Sequence, residues 1–246
     1  QHPSIVRLYL PIVAVWEDLS VTEGPIVGEL HGGVLTALGE GIVSGRYAAG
    51  QVLTLDGVSA TYRVSRSVAR EAIRVLESMG MVAPRRRVGI TIQPAGNWNV
   101  FDPRVIRWRL GAGDRAAQLV SLAELRRGVE PAAAALAARR ADAHQCRVLA
   151  GAASDMVVHG RSGDLGAYLL ADKLFHRTLL DASGNEMFRA LYEGVAEVLT
   201  GRTPDPAAIE LHDEVARAIR LRDEAAAERA MRAIIDASAA AVSGDL

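Results

Sequence analysis

Apolar positions recur every three or four residues along most of this 246-residue chain, and the breaks in that rhythm divide it. Periodic text begins near His31. The stretch LTALGEGIVSGRY (35–47) predicts a helix ending near Gly45, and DGVSATY (56–62) a short helix with Asp56 as its cap. SRSVAREAIRVLESMG (65–80) predicts a third, with Ser65 as N-cap and Gly80 as its stop. MVAPRRRVGITIQP (81–94) holds two short apolar runs, 81–83 and 88–92, around Pro84 and three arginines, which predicts a hairpin. Three helices and a hairpin in so short a span outline a winged helix-turn-helix domain over residues 31–94.

Residues 95–113 read as a linker carrying its own helix, because Asp102 followed by Pro103 is an N-cap and first-turn pair. Beyond residue 114 the text becomes rich in Ala, Leu and Arg. Helical periods fall at about 115–141, 142–159, 165–182, 185–200, 206–221 and 224–242, with no alternating strand pattern. The predicted fold class is therefore mainly α: an N-terminal winged helix-turn-helix domain and a C-terminal all-α bundle over 114–246. The apolar run from Ile5 to Trp16 is too short to span a membrane, which takes about 20 residues. Residues 1–30 read as an extension, either poorly ordered or packed as a strand on the domain, and an initiation site assigned too early would also explain them. No membrane association is expected.

On a helical wheel Arg66, Ser67, Arg70, Glu71, Arg74, Glu77 and Ser78 share one arc of about 140°. Val68, Ala69, Ala72, Ile73, Val75 and Leu76 share the opposite one. A solvated face is the plain explanation of such a helix, and charge argues against it. The chain carries a net −1, yet residues 46–94 hold eight arginines against three acids, a net of +5. Segregated arginine on a helix-turn-helix points to double-stranded DNA. The second helix of that unit enters the major groove by its N-terminal end, where Ser65, Arg66, Ser67 and Arg70 lie, with Arg74 further along. A guanidinium forks onto guanine or phosphate oxygens. Arg85, Arg86 and Arg87, at the hairpin tip, are placed to reach flanking phosphates or the minor groove.

Composition adds little. Half the residues are hydrophobic, enough for a real core, and Lys173 is the one lysine among 28 basic residues, a mark of base composition. The one cysteine, Cys146, excludes an intramolecular disulfide, fits a cytoplasmic setting and reads as a small buried apolar residue. One set of side chains carries possible chemistry in the bundle. Asp172 and His176, four apart, project from one helix face, and His212 lies on a later helix. A carboxylate with imidazoles suits zinc, nickel or a similar divalent ion. Taken alone the pair is a weak signal, since helix surfaces make such pairs by chance. His144 and His159 lie outside the pattern and read as surface residues.

VSRSVAREAIRVLESMGMV, with Gly89 in the hairpin after it, resembles the GntR family of bacterial transcription regulators, as does the preceding IVSGRYAAGQVL. ELRRGVEPAAAALAARRA (124–141) resembles the start of the helical FCD domain found in that family's FadR-like branch. NWNVFDPRVIRWRL resembles the linker of members that govern sugar-acid catabolism. The likeness spans about 31–242. It implies operator DNA as partner, a homodimer, and a small carboxylate effector of the sugar-acid kind bound in the helical domain. One departure stands out: LTLDGVSATYRVSR lacks the family's Pro–Glu opening of the helix before the recognition helix and is about one residue short, so a short or re-registered helix is expected there.

The resemblance also implies a metal site, through an Asp and a His four apart and two histidines on an antiparallel helix pair. Asp172, His176 and His212 match the first three positions; the fourth, across the hairpin that turns near Arg222–Asp223, is Ile234. Three ligands hold an ion if water or an acidic effector completes the shell, and the pocket could equally bind its effector without metal. Arg126 matches an arginine that can face the effector cavity, with a salt bridge to Glu124 or Glu130 as the competing reading. Asn185 matches an asparagine near the pocket, with a helix cap as the competing and favoured one. Two rival functions remain on the sequence: a metal-dependent enzyme using Asp172, His176 and His212, and a scaffold or sensor that no longer binds DNA.

Overall fold

The computed structural model describes residues 27–112, 115–200 and 206–244. The expectations for the N-terminal extension lie almost entirely outside them. α1 (Val27–Val43) begins earlier than the periodicity suggests. α2 (Leu55–Tyr62) is present at eight residues despite its missing Pro–Glu opening. Its cap is Thr54, not Asp56: the threonine hydroxyl accepts from the Gly57 N–H at 3.0 Å. Asp56 instead sits in the first turn, where a carboxylate suits the exposed N–H groups. Arg63 closes α2 in a left-handed conformation, and Ser65 then caps α3 (Arg66–Ser78) by accepting from Val68 N–H.

The apolar face of α3 is the expected one. Ala69, Ala72, Ile73 and Leu76 are buried, and pack with Leu38 and Ile42 of α1 and Val58 of α2. The hairpin is real, with β2 (Val82–Arg85) antiparallel to β3 (Gly89–Ile92). A third strand, β1 (Val52–Leu53), pairs β3 on its other edge and makes the sheet order β1-β3-β2. Two residues are too few to show alternation, so only the partner strand reveals it.

Gly80 does more than stop α3. It has φ +72°, and a Cβ there would stand 2.2 Å from the Asn97 carbonyl oxygen. Gly80→Ala is therefore expected to destabilise the winged domain by more than about 1 kcal/mol, since alanine is strained at positive φ, with the backbone clash added. A denaturation midpoint followed by tryptophan fluorescence checks this; an unchanged midpoint would refute it.

A 3₁₀ turn (Ala95–Asn97) leads to α4 (Pro103–Gly111), capped by Asp102 as expected. This helix is shared by both halves. Val105 and Trp108 belong to the winged domain's core, and the Trp108 ring fills the space beside Gly39. Arg107 reaches the other way to Glu197 of the bundle.

The bundle holds α5 (Arg115–Arg140), α6 (Ala143–Ser162), α7 (Leu165–Ala182), α8 (Glu186–Ala190), α9 (Tyr192–Leu199), α10 (Pro206–Arg220) and α11 (Glu224–Gly244). The single helix expected over 185–200 is two pieces, broken at Leu191. The main core joins α5, α6, α7, α10 and α11 through Ala137, Leu149, Met156, Phe175, Leu179, Ile219 and Met231. Cys146 is half-buried at its margin, more open than expected. His144 is exposed and His159 half-buried.

Candidate DNA interface and buried effector-domain cluster

The outward face of α3 carries Arg66, Ser67, Arg70 and Arg74, all exposed. Arg66 leans on α2, with Nε 2.9 Å from Asp56 Oδ1, and Arg74 lies 3.5 Å from Glu71. Both pairs are open to solvent, so they hold the arginines only loosely. Arg70 has no ion pair among the described residues. The Ser65 and Ser67 hydroxyls stand 2.8 Å apart at the helix start. Arg85, Arg86 and Arg87 are exposed around the hairpin turn, where Arg87 takes φ +63°. Gly89 is placed by sterics: at φ +126° a Cβ would come within 2.7 Å of Leu53 O, so glycine lets β1 close on β3.

In the bundle the structure brings together Asp172 and His176 of α7 with His212 of α10. All three are buried, and one donor atom from each lies within 4.8 Å of the others. Asp172 Oδ1 is 3.3 Å from His176 Nε2 and 3.5 Å from His212 Nε2. The His212 Nδ1 lies 2.6 Å from the Ala208 carbonyl oxygen, which can only accept, so this nitrogen carries a proton.

The anchor of this cluster is not apparent from the sequence. Glu130 of α5 is fully buried, with Oε1 2.7 Å from Arg126 Nε and Oε2 2.8 Å from His176 Nδ1. The i,i+4 spacing of Arg126 and Glu130 points to the pair; nothing in the spacing points to His176. Arg126 thus makes the salt bridge that competed with its effector reading, and Glu124 is exposed. Asn185 caps α8, accepting from the Met187 N–H at 3.0 Å. Ile234 is fully buried in the bundle core.

Burial and neighbouring charges oppose each other at every titratable group of the cluster. Burial opposes ionisation of Glu130, but Arg126 and then His176 outweigh it and hold its pKa at about 2, against an ordinary 4.5. Burial likewise opposes the Asp172 carboxylate, and the two histidines overcome it, taking its pKa well below the ordinary range. Burial disfavours the His176 cation, yet Glu130 and Asp172 raise its pKa; for His212 burial wins and the pKa falls.

The donor set fits a divalent ion. One carboxylate oxygen and two imidazole Nε2 atoms converge, while the far nitrogen of each ring faces a carboxylate or a backbone carbonyl, the outer support that metal-binding histidines use. Ile234 offers no fourth protein ligand.

A winged domain with an arginine-faced helix, joined by a shared helix to a bundle with a buried polar cluster, defines a DNA-binding transcription regulator with a sensing domain. Residues 30–92 match the model for bacterial regulatory proteins of the gntR family, and residues 121–237 that for the FCD domain. The chain belongs to the GntR family, in the branch that carries an FCD domain. It is 27% identical over 216 residues to the galactonate operon transcriptional repressor of Escherichia coli K12, covering 83% of this chain and 93% of that protein. It is 28% identical over 197 residues to the HTH-type transcriptional regulator LutR of Bacillus subtilis 168, covering 73% and 86%. The solved structure of Lar, which controls expression of the Listeria monocytogenes agr system, shares the fold at TM-score 0.50 and 20% identity, over 87% of this chain and 94% of that one. These relatives are transcription regulators, which leaves the enzyme reading unsupported. Among the described residues no helix is long and apolar enough to cross a membrane.

Proposed function

We propose that this regulator is a cytoplasmic repressor of an operon for breakdown of a small acid, of the sugar-acid kind, and that effector binding in the helical domain lowers its affinity for operator DNA. The carrying observation is the exposed N-terminal half of α3, where Ser65, Arg66, Ser67 and Arg70 stand beside the arginine-rich hairpin. The name of the E. coli relative, a galactonate operon repressor, supports the acid class. In this reading Ser65, Arg66, Ser67, Arg70 and Arg74 face the major groove, and Arg85–Arg87 meet the flanking backbone. A homodimer sets two such helices about 34 Å apart on a near-palindromic site. The effector shifts the population between DNA-competent and incompetent arrangements through its differential affinity for them.

Titrating the protein with its own upstream DNA and with a scrambled duplex, across a salt series, tests this. Operator-preferring binding with a log–log salt slope of about −0.9 per neutralised phosphate is expected; equal, weak binding to both duplexes would sink it and revive the sensor without DNA binding.

In the same reading Asp172, His176 and His212 hold a divalent ion, zinc or nickel. Such an ion would supply a Lewis-acidic position for an effector carboxylate; Arg126 stabilises the charge on Glu130, and Asn185 caps the start of α8. Zinc or nickel is expected to raise the melting temperature of the wild type, by mass action on the folded state, and to leave that of His212→Ala unchanged. Equal shifts in both would place the ion elsewhere.

A further inference from the structure

A cavity of about 260 Å³ lies where α4, the first half of α5 and the α8–α9 corner meet. It is separate from the buried cluster: its α5 residues are Gln118, Ser121, Leu122 and Leu125, ahead of Arg126 and Glu130. Its walls are mostly apolar, from Ile106, Leu122, Leu125 and Leu191, and Gly194 keeps the α9 wall low. A Cβ on that glycine would meet Ile106 Cδ1 at 3.1 Å. Val100 and Phe101, both well exposed, contribute to the lining and give an apolar ligand a matching surface.

Three polar side chains break the apolar lining, and one of them, Ser121, already donates its hydroxyl to the Ala117 carbonyl at 3.0 Å. Gln118 is 3% exposed, and its Oε1 has no hydrogen-bond partner. A buried carbonyl left in that state costs free energy that a ligand hydroxyl would recover. Arg109 of α4 lines the same cavity, and its guanidinium has five N–H donors, enough to take a carboxylate beside any other acceptor. The volume falls just below the range of drug-sized ligand sites, roughly 300–1,000 Å³, so the occupant is small.

We propose that this cavity is a second small-molecule site, taking a compact apolar carboxylic acid that also carries a hydroxyl: the hydroxyl donates to Gln118 Oε1 and the carboxylate meets Arg109. Its occupant touches α4, whose Val105 and Trp108 sit in the winged domain's core, and also α5 and α9 of the bundle. The assignment needs neither a metal nor the effector reading of the buried cluster.

Calorimetric titration of the full chain with 4-hydroxybenzoate, benzoate and 4-hydroxybenzyl alcohol tests it. The first is expected to bind in the millimolar range or tighter. Benzoate, lacking the hydroxyl, should bind up to about tenfold more weakly, the range of one hydrogen bond, and the benzyl alcohol, lacking the carboxylate, more weakly too. In Gln118→Leu the preference for 4-hydroxybenzoate over benzoate should vanish. Ala190→Trp, at an exposed position on the rim, should abolish binding of all three, while His212→Ala, in the buried cluster, should leave it intact. Unchanged circular dichroism of each variant establishes that it folds. No heat from any probe at millimolar concentration overturns the proposal. So does binding lost in His212→Ala but retained in Ala190→Trp, which would seat the ligand in the buried cluster.

Discussion

Glu130→Ala is expected to lower the stability of the helical domain by about 3–5 kcal/mol, the range seen when one partner of a buried ion pair is removed. The reason is local. Glu130 is fully buried and is the anion that both Arg126, itself 2% exposed, and His176 rest against. Without it a guanidinium remains in the core with no counter-charge and no water to replace it. Urea unfolding followed by far-ultraviolet circular dichroism measures the loss. Arg126→Met combined with Glu130→Met should recover part of it, because removing both charges leaves no orphan. Arg139→Ala, which breaks the exposed pair with Glu224, should leave the transition in place. A Glu130→Ala protein as stable as the wild type would mean that the cluster is not organised around this carboxylate.

Acid titration gives the same cluster a second signature. A carboxylate whose folded pKa is depressed contributes stability above its unfolded value, and that contribution drains as pH falls toward the folded one. For Glu130 the window runs from 4.5 down to about 2. His176 acts in the opposite sense: with a raised pKa, its contribution is complete below its ordinary 6.5 and is lost as pH rises through the folded value. The wild type should lose helical-domain stability steeply below pH 4.5, and Glu130→Ala, already without this carboxylate, less steeply.

The second large effect is on DNA. Arg70→Ala is expected to weaken operator binding by about 1–3 kcal/mol, roughly 5- to 150-fold, the worth of a bidentate arginine–base contact. Arg70 is the choice because it sits one turn into α3, is exposed, and has no ion pair among the described residues. Arg66 shares its charge with Asp56, and Arg74 lies a turn further from the helix start beside Glu71. A base contact loses more on the operator than on scrambled DNA. A phosphate contact loses equally on both and lowers the salt slope by about one. Wild-type affinity in Arg70→Ala would remove this face from the proposed interface.

Much of this molecule is legible along the chain because helical elements report themselves locally. Period, caps and stops lie within a few residues of each other, so the caps Ser65 and Asp102 and the helical span 165–182 agree between sequence and fold. The apolar face of α3 and the convergence of Asp172, His176 and His212 follow from helical spacing and from the family resemblance. The differences have separate causes. β1 is two residues made visible only by β3. The break at Leu191 separates two helices that a single period joins. Thr54 takes the capping role from Asp56 through a hydrogen bond that composition does not distinguish.

The sequence by itself therefore determined the two-part architecture, the arginine face and the candidate ligand types, because each is a matter of periodicity, charge and residue chemistry along one element. The tertiary structure alone decided that α4 serves both domains, that Glu130 ties Arg126 to His176, and that Gln118 is buried against a cavity. Each of these joins side chains from separate elements. Their energies come from desolvation and charge compensation in a shared interior, and no local pattern along the chain records which elements that interior brings together.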